Sequence, residues 1–193
     1  MTRSASIQRT TKETSISLTL TLDGTGQARV STGIGFLDHM LTSLALHGRL
    51  DLTLTCTGDL VVDDHHTAED VALALGAAID QALGDRAGIR RFGSAYAPLD
   101  EALARAVVDL SGRPWAEVDL GLQREMLGAI ATENLDHFAR SLAIAGRLCL
   151  HLDVLRGRND HHRAEAAFKA LALALRDAVR VDGGGVPSAK GVL

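Results

Sequence analysis

The chain has 193 residues, 46% hydrophobic and 23% charged, with a formal net charge of −4 and only 3% aromatic residues. That length and apolar content suit one compact domain or two small fused halves, and argue against wholesale disorder. Scattered basic residues and few stacking rings argue against a nucleic-acid surface, and no apolar run approaches the roughly 20 residues that span a bilayer. The N-terminus lacks a hydrophobic signal core, so the expected compartment is the cytoplasm, or an organelle holding this as a mature core. Cys56 and Cys149 lie in apolar alternating runs without metal-type spacing, and are expected as buried thiols in a reducing compartment.

In chain order, TSISLTLTLDGTGQARVST (14–32) alternates apolar and polar residues around an Asp-Gly pair, which predicts a hairpin. A helix is expected from Asp38 to Leu46, stopping at Gly48. LDLTLTC (50–56) reads as a strand by alternation and threonine content, and 66–83 as a long helix with an apolar face. Beyond these come strands at 104–110 and 115–122, a helix from Leu135, a strand at 148–154 and a helix from His162 to Val179. The tail, VDGGGVPSAKGVL, reads as loop.

An internal repeat organises these elements. FLDHMLTSLALHGRLDLTL (36–54) lies over NLDHFARSLAIAGRLCLHL (134–152) with an offset of 98, and DHHTAE (64–69) over DHHRAE (160–165) with an offset of 96. The expectation is a duplicated α+β fold: two four-stranded sheets around a central layer of helices. Residues 1–90 form the first half-module, 91–183 the second and 184–193 a tail, with the seam near Gly88–Gly93.

The repeated DHHxAE carries the chemistry. Positions i and i+4 share a helix face, so His65 and Glu69 can hold one ion while His66 turns toward another. His161, Glu165 and His162 repeat that arrangement, and His39 and His137 are equivalent across the duplication. Eight ligands thus divide into two sets of three histidines and one carboxylate, donors suited to manganese, iron, zinc or nickel and not to magnesium or calcium. Taken with the repeat, the partition is His65, Glu69, His137 and His162 for one ion and His161, Glu165, His39 and His66 for the other. His151, alternating within a strand, reads as structural, whereas His47 stays open.

GIGFLDHML, DDHHTAED, PLDEALA, DLSGRP and NDHHRAEAAFKA, with RTTKETSI (9–16) and GGGVPSAKG (183–191) at the ends, together resemble the imidazoleglycerol-phosphate dehydratase family, in its monofunctional form. The resemblance covers almost the whole chain, and departs where PLDEA has leucine in place of the commoner methionine. It implies two manganese ions per active site and dehydration of D-erythro-imidazole-glycerol phosphate to imidazole-acetol phosphate in histidine biosynthesis. The implied route runs through a metal-favoured imidazolate, whose electrons expel the hydroxyl, and a diazafulvene-like intermediate. It also implies Glu13 as acid/base with Asp100 as the second candidate, and a phosphate site of Arg91, Arg113, Lys169, Ser188 and Lys190. Trimers joined by manganese into a hollow twenty-four-subunit particle follow from it too. A pseudo-two-fold axis would separate equivalent helix starts, so the ligand sets are expected to close between neighbouring chains. Two other classes compete: a dinuclear metallohydrolase, which needs a bridging carboxylate, and a metal-storage or di-iron bundle, which needs Glu-x-x-His on long helices.

Overall fold

The computed structural model describes residues 2–186 and 188–191; Pro187, Val192 and Leu193 of the expected loop tail lie outside them. Its first half runs β1 (Ser4–Thr10), β2 (Thr14–Thr21), β3 (Ala28–Ser31), α1 (Gly35–Gly48), β4 (Asp51–Gly58) and α2 (His65–Leu83). The second half repeats this with β5 (Phe92–Leu99), β6 (Ala102–Asp109), β7 (Trp115–Asp119), α3 (Thr132–Ala145), β10 (Cys149–Arg156) and α4 (Asp160–Ala178). A short ribbon, β8 (Met126–Leu127) with β9 (Ile130–Ala131), precedes α3. The sheets have orders β1-β2-β4-β3 and β5-β6-β10-β7, matching strand for strand. Helices α1 and α2 lie on the first sheet and α3 and α4 on the second, and across the middle α1 packs on α4 and α2 on α3. The expected α+β sandwich, with helices as its central layer, is the observed architecture.

Alternation sets which face is buried. In β2 Ile16, Leu18 and Leu20 point inward, with Ser15, Ser17 and Thr19 outward. In β6 the inward residues are Ala102, Ala104, Ala106 and Val108, small enough for a close helix. The matching residues of α4 are again small: Ala164, Ala167, Ala170, Ala174 and Ala178. Contact is so close that a Cβ on Gly93 would lie 2.0 Å from the Ala174 carbonyl. Among the described residues no helix is long and apolar enough to cross a membrane.

The hairpin expected over 14–32 does not form. β4 lies between β2 and β3, antiparallel to β2 and parallel to β3. Alternation reports that one face is buried and says nothing of the partner strand. What redirects the chain is Asp51, whose Oδ1 accepts the N–H groups of Thr25 (2.8 Å), Gly26 (3.1 Å) and Gln27 (2.9 Å). The Asp-Gly pair therefore opens a crossover loop held at the start of β4. Gly48 is also not the left-handed stop: it is the last residue of α1, and Arg49 (φ 54°) takes that conformation, as Arg147 (φ 49°) does after α3. Cys56 is buried and its thiol pushed up to about 11 by desolvation, but Cys149 is only half-buried. The edge strands β1 and β5 were illegible in the pattern; β5 carries Gly93 and Pro98, tolerated because an edge leaves one ladder unpaired. The tail crosses the seam, where Gly88 N–H donates to Gly185 O (3.1 Å) and Ile89 bridges to Val181.

Candidate metal centre

Two clusters of donor atoms form, one at each cross-layer helix contact. His65 and Glu69 of α2 meet His137 of α3, and His161 and Glu165 of α4 meet His39 of α1; within each cluster the ligand atoms all lie within 4.8 Å of one another. Each therefore combines residues of both halves. His137 Nε2 is 3.0 Å from Glu69 Oε1, and the His65 and His137 rings stack with centroids 4.8 Å apart. His39 and His161 both place Nε2 3.2 Å from Glu165 Oε2. Two imidazoles and a carboxylate at this spacing fit a divalent transition metal. Glu69 and Glu165 sit in different clusters, so among the described residues neither acts as the bridge a dinuclear hydrolase needs.

His66 and His162 turn away from both clusters, as the 100° step between successive helical residues requires. His66 Nδ1 is 3.1 Å from Asp59 Oδ2, and His162 Nδ1 is 2.8 Å from Glu101 Oε2. Those carboxylates raise both imidazole pKa values above the ordinary range. His162, together with the N–H groups of Asn159 and Arg158, in turn holds Glu101 well below the usual carboxylate range. With Nδ1 so engaged, each ring presents Nε2 outward. The candidate acid/base groups stand beside these two nitrogens: Glu13 Oε1 at 3.7 Å from His66 Nε2, and Asp100 Oδ2 at 3.8 Å from His162 Nε2.

Asp59, Glu101, Asn134 and Asp64 were not singled out in the sequence. Asn134 is buried, its Oδ1 2.8 Å from His65 Nδ1 while its Nδ2 donates to Asp64 Oδ2 (2.8 Å). Their one visible signal was proximity to motifs: Asp64 starts DHHTAE, Asn134 precedes the repeated LDH, and Glu101 lies inside PLDEALA.

The residues assigned to phosphate divide. Lys169 lies one helical turn beyond Glu165 and donates to its Oε1 at 2.8 Å. Burial would raise the Glu165 carboxyl, but Lys169 and His39 bring it down to about 2. The His47 pKa is lowered by burial and by the charge of Lys169. Arg91 lies elsewhere, holding Asp109 through Nε (2.7 Å) and Nη2 (3.1 Å), with its backbone N–H on Ala178 O at the far end of α4. Arg113 is exposed beyond β6, and Ser188 and Lys190 belong to the tail, whose Val186 and Gly191 line a cavity of about 360 Å³ with Gly112. From His161 to Ala178 the helix rises about 25 Å. Arg91 therefore cannot reach a small substrate held at its own chain's His161. His151 is exposed on β10, paired with Val107 and Glu117.

The family profile described as imidazoleglycerol-phosphate dehydratase matches residues 32–175. The chain belongs to the imidazoleglycerol-phosphate dehydratase family. Family membership makes it a carbon–oxygen hydro-lyase of histidine biosynthesis. An imidazoleglycerol-phosphate dehydratase of Chlorobium luteolum is 56% identical over 191 residues, covering 99% of this chain and 96% of its own. One from Phytophthora nicotianae is 64% identical over 192 residues, 99% of this chain but only 42% of that longer protein. Two solved dehydratase structures superpose with a TM-score of 0.83 each. The Staphylococcus aureus enzyme is 37% identical, covering 92% of this chain and 99% of its own. The Pyrococcus furiosus enzyme, in complex with (S)-C348, is 38% identical and covers 97% and 100%.

Proposed function

We propose that the chain converts D-erythro-1-(imidazol-4-yl)glycerol 3-phosphate to 3-(imidazol-4-yl)-2-oxopropyl phosphate and water, with two Mn2+ per active site, in the cytoplasm. One observation carries the reading: two separate three-ligand clusters coexist with two outward-turned histidines, His66 and His162, on a chain of this family. One ion would take His65, Glu69 and His137, with His162 of a neighbouring chain as fourth ligand. The other would take His39, His161 and Glu165, with a neighbour's His66. Bound manganese supplies Lewis acidity and a template for the substrate's imidazole.

The chain's own groups do the rest. Arg91, Arg113, Lys169, Ser188 and Lys190 hold the phosphate, through guanidinium forks, ammonium groups and a glycine-rich backbone. Because Arg91 sits at the far end of α4, about 25 Å from His161, Arg91 and the His161 cluster come to one substrate from different chains. Hydroxide leaves the carbon beside the ring, driven by ring electrons, and a diazafulvene-like ring remains. Glu13, beside His66, takes the proton from the adjacent carbon, and the resulting enol becomes the ketone; Asp100 is the second candidate for this step. Trimers joined through the shared ligands would build the twenty-four-subunit particle, so that metal binding contributes assembly free energy by linkage.

The test is product formation by manganese-loaded protein, followed as the ketone, with particle mass measured before and after chelation. Turnover, and reversible collapse to a small folded oligomer on chelation, is the expected result. Inorganic phosphate release without ketone, or an unchanged particle after complete metal removal, would refute the reading.

A further inference from the structure

The duplication makes the two clusters alike in their ligands, but their surroundings have diverged at two equivalent positions. Resting on the reading of both clusters as cation sites, we infer that they bind divalent cations with unequal affinity. The His65–Glu69–His137 cluster fills first, and Lys169 weakens the His39–His161–Glu165 cluster.

The first difference concerns the carboxylate. Lys169 stands four residues after Glu165 with its ammonium 2.8 Å from Oε1, so a dication arriving at Glu165 meets a positive charge already paired there. Both histidines of that cluster approach the same remaining oxygen, Oε2. With the offset of 96, the residue equivalent to Lys169 is Leu73, which brings no charge beside Glu69.

The second difference concerns the histidine that opens each long helix. Asn134 gives its amide hydrogen to Asp64, which orients the amide so that its Oδ1 faces His65. His65 must then carry its proton on Nδ1, leaving the Nε2 lone pair for a metal, and the accepted hydrogen bond makes the ring a stronger donor. With the offset of 98, the residue equivalent to Asn134 is Phe36, whose ring meets His161 edge-on with centroids 5.2 Å apart. A phenyl ring neither fixes the tautomer nor strengthens the donor.

Asp64 and Asp160 are equivalent in the repeat, so the charge that separates the clusters is Lys169, which pairs with Glu165 where Leu73 leaves no ammonium beside Glu69.

Chelated full-length protein titrated with Mn2+ and followed by equilibrium dialysis with elemental analysis tests this. The expected isotherm has two steps of one equivalent per chain, separated by about tenfold or more, the scale of single outer-shell changes. Glu69→Gln should remove the tighter step and Glu165→Gln the looser. Lys169→Met should tighten the looser step and leave the other in place. Should that variant fail to fold, Leu73→Lys at a half-exposed position makes the same test in reverse by weakening the tighter step. Two equal sites, or a gap indifferent to both charge changes, would overturn the inference while leaving two cation sites standing. No Mn2+ bound by the wild type would instead overturn the reading of the clusters themselves.

Discussion

Gly76 lies where α2 crosses α3, the helix pair that carries the His65–Glu69–His137 cluster. A Cβ added there would sit 2.6 Å from Leu142 O, 2.8 Å from Ala145 Cβ and 2.8 Å from Gly146 N. Ordinary contact begins at 3.4 Å, so the helices must separate by 3.4 − 2.6 = 0.8 Å at the crossing, since two of the three obstacles are backbone atoms. Two effects oppose each other in Gly76→Ala. Helix propensity alone favours alanine by about 1 kcal/mol, whereas overpacking costs about 1–3 kcal/mol. The net expectation is a loss of about 1 kcal/mol, a fall in Tm of about 3 °C for a chain of this length. The effect on metal should be larger in proportion. Glu69 is seven residues, about 10 Å, from the crossing, and a shift of several tenths of an ångström exceeds the ~0.2 Å tolerance of metal–ligand distances. Thermal denaturation of the chelated protein and Mn2+ titration together provide the assay, with one site expected to weaken and the α1–α4 site to persist. Ala172, the equivalent position in α4, supplies the control, because Ala172→Gly relieves no clash and should keep both sites. A higher Tm with two unaltered Mn2+ affinities in Gly76→Ala would refute the close-approach argument.

Three further outcomes are expected. Glu13→Gln should keep its manganese and its particle size but lose about 100- to 10,000-fold in turnover; near-normal turnover removes Glu13 from the proton transfer. Raised imidazole values at His66 and His162 mean that their contribution to the metal-free fold is fully present below about pH 6.5 and is lost as pH rises through the elevated folded values. Chelated His66→Ala/His162→Ala protein should therefore gain less stability than chelated wild type on acidification from about pH 8 to 6, while the loaded wild type loses metal because a protonated ring has no lone pair; identical profiles for all three would contradict this. Gly93→Ala should abolish soluble expression or cost more than about 3 kcal/mol by chemical denaturation, since no flexible side chain can yield to a Cβ placed 2.0 Å from Ala174 O; a variant of wild-type stability would show that α4 and β5 are more loosely packed.

The repeat made both sheets, the helix layer and all eight of the clustered or outward histidine and carboxylate positions legible as pairs, because duplication writes a tertiary relation into sequence offsets. It could not reveal strand partners. The 14–32 segment has the pattern of a hairpin, and the outcome turned on Asp51, a residue 27 positions beyond the Asp-Gly pair's Gly24, reaching back to three backbone N–H groups. Nor could it separate a ligand from the group that orients it. Asp59, Glu101 and Asn134 are ordinary polar residues until folding brings each against a histidine nitrogen, and Asp100 drew notice while its neighbour Glu101 makes the shorter contact to His162.

The same comparison explains why a duplicated site need not be a symmetric one. Fixing two clusters requires only that the residues donating to metal stay at their offsets, and His39/His137, His65/His161 and Glu69/Glu165 do. Positions further out are free of that requirement, and there the repeat pairs Phe36 with Asn134, Leu73 with Lys169 and Gly76 with Ala172. Each exchange alters a different physical quantity: donor strength, local charge and helix separation. A substrate with a ring at one end and a phosphate at the other has no two-fold symmetry. A pair of sites built from one motif gains part of the asymmetry needed to meet it from outer positions that differ, beside the residues that hold the phosphate, so the three exchanges bear on chemistry as well as on packing.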